Sequence, residues 1–173
     1  MKTTLPQFLT AVIALMICMA VPAKAQDSEY YKFISPNNGL SVTFQSDLKV
    51  TCDDESKLEI ENDNFSFTAL FCDAATISKL DMKDNLEKVI KKSGIDKKSL
   101  SLLELNTNKT LQGSLYIGGN KVENADYYLI YGFVQSKLSP QIAFKISVIC
   151  NSNMAKQAGT LLGTLEFNPE SIK

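Results

Sequence analysis

Between Thr110 and Cys150 the chain alternates apolar and polar residues over three successive segments, a pattern that predicts the middle of an antiparallel sheet. In the last segment Ile142, Phe144, Ile146, Val148 and Cys150 share one parity, against Gln141, Ala143, Lys145, Ser147 and Ile149. In the first, Leu111, Gly113, Leu115 and Ile117 stand against Gln112, Ser114 and Tyr116. Such segments bury one face and wet the other. The segment between them, Tyr127 to Val134, is apolar at both parities, as a central strand covered on both sides would be. Gly118-Gly119-Asn120-Lys121 and Ser136-Lys137-Leu138-Ser139-Pro140 are turn compositions, and connections this short favour antiparallel neighbours. Tyr127, Tyr128 and Tyr131 are the candidate interface residues of this stretch. Their amphipathic rings suit a ligand or partner face, while core and cross-strand packing is the reading that the pattern favours.

Before the meander, Tyr30–Ile34 and Leu40–Gln45 read as a hairpin around Ser35-Pro36-Asn37-Asn38-Gly39. Asp47 to Glu61 reads as acidic and loop-like, with a brief strand at Leu58 and Ile60. Phe65, Phe67, Ala69 and Phe71 then alternate with Ser66, Thr68, Leu70 and Cys72 as a half-buried strand. A helix follows, capped by Asp81, with Met82, Leu86, Val89 and Ile90 on one face and Gly94 as its stop. Lys91 and Lys92 fall in its last turn, where the helix dipole favours cations. Leu100 to Leu105 is expected to be a strand. After Cys150, Asn151 or Ser152 is expected to cap a second helix with Met154, Ala158, Leu161 and Leu162 inside and Gly163 at its end, followed by a short strand at Leu165–Phe167.

Met1 to Ala25 has the parts of a secretory signal: Lys2, an apolar run from Phe8 to Val21, and Ala23-Lys24-Ala25 as a cleavage site. The apolar run is shorter than the roughly 20 residues of a typical membrane span. The expected mature protein is therefore residues 26–173, without an integral membrane segment, periplasmic or secreted. No linker divides it, so one α+β domain is expected, with a mainly antiparallel sheet and two principal helices.

In element order, and in the hairpin sequence Gly39-Leu40-Ser41-Val42-Thr43-Phe44, the stretch from 30 to 167 resembles the PsbP, Mog1 and DcrB-like superfamily. The resemblance implies a single α/β/α sandwich and a non-catalytic role as a binding adaptor, assembly factor or envelope protein. It carries over no particular site residues.

The residue inventory narrows the chemistry. The chain has no histidine and no tryptophan, and all of its 18 basic residues are lysines. Without histidine it lacks the usual general base and metal ligand near neutral pH, which excludes Ser-His-Asp and Cys-His schemes. Without arginine it lacks the bidentate clamp for phosphate. A formal net charge of −1, more negative once Lys2 and Lys24 leave with the leader, argues against nucleic acid as a partner. Paired carboxylates, Asp53 with Asp54 or Glu59 with Glu61, leave a small carbohydrate-active hydrolase open. The acidic run of Asp53, Asp54, Glu55, Glu59, Glu61 and Asp63 offers oxygens for Ca²⁺ but lacks EF-hand spacing; a solvated edge is the preferred reading. No catalytic, cofactor-binding or metal-ligating residues are therefore assigned. Of the cysteines that remain after processing, parity separates Cys72 from Cys150, so a Cys52–Cys72 disulfide is expected, with Cys150 as a buried small hydrophobe. The expected function is that of an exported, non-enzymatic binding or adaptor protein of the Gram-negative envelope, its partner a protein or a small apolar ligand. The alternatives are the carboxylate hydrolase and a secreted inhibitor or immunity protein.

Overall fold

A computed structural model describes residues 29–79, 82–105 and 108–172; the expected leader at Met1–Ala25 and the cap at Asp81 lie outside them. Strands β1 (Tyr30–Ile34), β2 (Leu40–Gln45), β3 (Lys49–Asp53), β4 (Lys57–Asn62) and β5 (Phe65–Asp73) come first. Helices α1 (Ala74–Lys79) and α2 (Met82–Ser93) follow, then β6 (Ser101–Glu104), β7 (Leu111–Gly119), β8 (Tyr127–Ser136) and β9 (Ile142–Asn151). Helix α3 (Ala155–Gly163) and β10 (Glu166–Phe167) close the chain. The fold is α+β. A seven-stranded sheet in the order β3-β4-β5-β9-β8-β7-β6 is antiparallel throughout, and a three-stranded sheet, β1-β2-β10, packs over one of its faces together with α3. Helices α1 and α2 lie over the other face. Among the described residues no helix is long and apolar enough to cross a membrane.

The meander forms with the parity that its residues predict. Leu111, Leu115, Phe144, Ile146, Val148 and Cys150 are buried on the core face, on the same side of the sheet as Leu58, Ile60, Phe65, Phe67 and Ala69 of β4 and β5. Strand β8 is covered on both sides: Ile130 and Val134 join this core, and Leu129 and Tyr131 join Leu86, Ile90 and Ile95 beneath α2. Gly132 lies where β7 and β8 approach closely, since a Cβ there would run into the Ser114 carbonyl oxygen. Gly94, at φ +65°, ends α2 in the left-handed conformation that glycine adopts at least cost. The stop is pinned by Tyr127, whose hydroxyl donates to the Ser93 carbonyl at 2.9 Å.

Three features differ from the sequence expectation. The Asp47–Glu61 stretch is mostly a hairpin, β3 and β4, closed by Asp54, whose Oδ1 accepts from the Ser56 amide at 2.8 Å and the Ser56 hydroxyl at 2.7 Å. It looks loop-like in sequence because β3 is an edge strand with a bulge after Val50, so its alternation is broken. Helix α1 is a single short helix after β5 that periodicity does not reveal. The second expected helix opens with a 3-10 turn at Ser152–Met154 and has no side-chain cap; the Asn151 side-chain amide instead donates to Asn64 Oδ1 at 2.7 Å.

One buried group stands out in α3. Gln157 is 3% exposed, and neither its amide nitrogen nor its amide oxygen has a hydrogen-bond partner among the described residues. A buried amide left this way costs about 1–3 kcal/mol.

Candidate functional site

The register of the large sheet places side chains in cross-strand rows on the α2 face. One row runs Glu59, Thr68, Ser147, Tyr131 and Tyr116 across β4, β5, β9, β8 and β7. The next, on one side, runs Lys57, Leu70, Lys145, Phe133 and Ser114; the next on the other side runs Glu61, Ser66, Ile149, Leu129 and Gly118. Among the described residues, the apolar stripe of α2 packs mainly on β8: Leu86 and Ile90 lie on Leu129 and Tyr131. Beside it, over β9 and β5, a concavity remains among the described residues.

The result is a cleft of about 470 Å³ between α2 and the floor of β5, β9 and β8, lined by Val89, Lys92 and Ser93 above and by Thr68, Leu70, Lys145, Ser147, Ile149, Tyr127, Leu129 and Tyr131 below. That volume lies within the range of small-molecule sites, roughly 300–1,000 Å³. Among the described residues its charged lining groups are Lys92 and Lys145, and no carboxylate lines it. Lys92 is exposed and Lys145 is half-buried, and neither forms an ion pair among the described residues. Tyr131 is 5% exposed, and its hydroxyl has no hydrogen-bond partner among the described residues. Burial, and to a smaller degree the Cys72 thiol, raises the Tyr131 phenol above its ordinary value, so it stays a proton donor. Ile149, in contrast, is 44% exposed at the mouth.

The structure divides the candidate tyrosines. Tyr127 and Tyr131 line the cleft, whereas Tyr128 points to the opposite face and packs on the main core. The residues that sequence reading missed are Lys145, Ser147 and Thr68. Their parity on a wetter face was visible, but nothing local says that β5 pairs with β9 and so aligns them.

The expected Cys52–Cys72 bridge does not form; Cys52, Cys72 and Cys150 are free thiols. Strand β4 lies between the two partners: Cys52 is opposite Glu59, which is opposite Thr68, and Cys72 is four residues farther along β5. With strands about 4.8 Å apart and about 3.4 Å per residue, the two α-carbons are separated by roughly 16 Å, and a disulfide spans less than about 7 Å. Cys150 is 1% exposed on the core face, and burial pushes its thiol up to about 11. Cys52 is raised as well, by desolvation first and then by its hydrogen bond to Asp54.

The acids are engaged locally. Asp53 Oδ1 accepts from the Ser35 hydroxyl at 2.5 Å, and Asp53 also takes the Asn37 and Asn38 amides, tying the β1–β2 turn to the end of β3. Asp54 is held down to about 2 by the Ser56 hydroxyl and amide and by Cys52. Glu59 pairs with Lys57 at 3.1 Å. Among the described residues no three acidic or sulfur side chains gather as a metal site would require. A second concavity, about 490 Å³, lies between α1 and the ends of β7, β8 and β9, and its polar side chains are the neutral amides Gln112 and Gln135.

No protein-family model matches the chain, and no curated protein sequence does. A crystal structure of a protein from Bacteroides thetaiotaomicron VPI-5482 is similar, with 22% sequence identity and a TM-score of 0.44. The match covers 82% of this chain and 50% of that one, so this chain spans about half the length of that protein.

Proposed function

We propose that this chain is an exported, non-enzymatic binding or adaptor protein of the bacterial cell envelope, as its resemblance to the PsbP, Mog1 and DcrB-like superfamily implies, and that the cleft beside α2 takes a small, largely apolar ligand. The observation that carries this reading is the cleft itself: apolar walls from Val89, Leu129 and Ile149 beside a few polar groups, with no carboxylate and no activated nucleophile on the lining. The hydroxyls of Thr68 and Ser147 have no histidine to activate them, because the chain has none.

Native mass spectrometry of the protein isolated from its own host tests the reading. A small retained mass, lost from an Ile149→Glu variant, is the expected result. Turnover of a chromogenic glycoside that Glu59→Gln abolishes would overturn it in favour of the hydrolase. A protein partner is a second reading, favoured by the edge strand β1, where Tyr30, Tyr31 and Ile34 are 43%, 48% and 48% exposed. Stoichiometric co-purification of a protein, lost on Tyr31→Ala plus Ile34→Ala, would support that reading.

A further inference from the structure

We infer that the ligand of this cleft is an amphipathic anion, a free carboxylate on an aliphatic body, whose head binds between Lys145 and the hydroxyls of Tyr131 and Ser147 and whose body lies on Ile149 beside Val89. The inference rests on the proposed binding function and narrows it to a chemical class.

Charge selects the head. The charged groups on the lining are both cationic, and the half-buried Lys145 has no carboxylate to neutralise it. A half-buried ammonium without a counter-ion gains more from an anion than one in open water, because it is less screened. Lys145 lies one residue pair along β9 from Ser147, and Ser147 is directly opposite Tyr131 on β8. An ammonium and hydroxyl donors thus stand in adjoining rows, and the Tyr131 hydroxyl, on a largely buried ring, reaches the cleft without a hydrogen-bond partner among the described residues. A carboxylate accepts from all of them and neutralises Lys145, whereas a neutral alcohol can accept but leaves the charge uncompensated and an ammonium head is repelled.

The apolar side selects the body. On the far side of the hydroxyl row from Lys145, Ile149 and Leu129 form the next row, beneath Val89. Ile149 is a large aliphatic residue left 44% exposed in mid-sheet, where its neighbours in the row, Ser66 and Leu129, are half-buried and buried. A chain laid there removes apolar surface from water on both partners. The net negative charge of the protein sets it against anionic bilayer surfaces, so the ligand is a free molecule rather than a lipid in a membrane.

Isothermal titration of the folded protein with octanoate, octanol and octylamine tests this. Octanoate is expected to bind about tenfold or more tighter than octanol, and octylamine the weakest. Lys145→Gln and Tyr131→Phe are each expected to weaken octanoate by about tenfold while leaving octanol unchanged; Ile149→Glu weakens both. If octanol binds as tightly as octanoate and Lys145→Gln changes neither, the anion inference is overturned while the apolar cleft stands. If none of the three binds, the binding function and the inference fall together. Flotation with phosphatidylglycerol vesicles separates the sources: no co-flotation is expected, and co-flotation lost in Lys145→Gln would put a membrane lipid in place of the free acid.

Discussion

On one face of the large sheet Phe67, Phe144, Ile146 and Val148 are completely covered by α3 and the small sheet; on the other, the same strands present Thr68, Lys145, Ser147 and Ile149 beside a helix that packs mainly on β8. The difference lies in what each face has available to cover it. A helix together with a three-stranded sheet closes the first, and an apolar floor that is closed becomes core. On the second, α2 supplies one narrow stripe and leaves a floor of mixed polarity next to it. Stability belongs to the first face, and the function proposed above would place recognition on the half-open one.

Five substitutions, a labelling experiment and a peptide map break or sharpen that contrast. Phe67→Ala, in the centre of the covered face, is expected to cost about 3–5 kcal/mol in urea unfolding. Thiol labelling in the native state compares the faces directly: Cys72, half-buried on the open face, is expected to react roughly a hundredfold faster than Cys150, whose buried thiol is raised to about 11. A non-reducing peptide map of the same sample should contain no Cys52–Cys72 peptide. Ile90→Ala, under α2, is expected to cost about 2 kcal/mol, the low end for this substitution because α2 is covered on one side only, and to raise amide exchange in α2 without raising it in β9.

Gln157→Met tests a flaw in the covered side. Removing a buried amide that lacks partners is expected to stabilise the fold by about 1 kcal/mol, and a loss of stability would instead place an ordered water on that amide. Thr68→Ala and Ser147→Ala, on the open floor, are expected to change unfolding by less than about 0.5 kcal/mol. A cost as large as that of Ile90→Ala would mean that this floor is structural rather than a binding surface.

The parity of β7, β8 and β9, the burial of Cys150 and the stop at Gly94 were all legible in the sequence. Each follows from a repeat of two or 3.6 residues, or from one glycine, within a few neighbouring positions. The missing histidine and arginine likewise exclude whole classes of chemistry with no coordinates. Leu58 and Ile60 mark β4, but β3 is not legible because a bulge breaks its alternation, nor is α1, because one short helix has too few residues to establish a period.

Partners across the sheet are another matter. Strand β5 pairs with β9 over the whole intervening run of helices and meander, and that pairing puts Thr68, Ser147 and Tyr131 in one row. The same order inserts β4 between Cys52 and Cys72 and keeps them apart. The β1–β2 hairpin leaves the large sheet altogether and takes β10 as its neighbour. Side-chain alternation is a property of each strand's own backbone and is written locally. The choice of neighbour is made among distant segments whose loop-closure costs differ little, so it is decided by which arrangement buries the apolar faces together. The sequence by itself therefore determined which residues face the core and which face solvent, and only the tertiary structure decided which of the outward residues meet in the cleft.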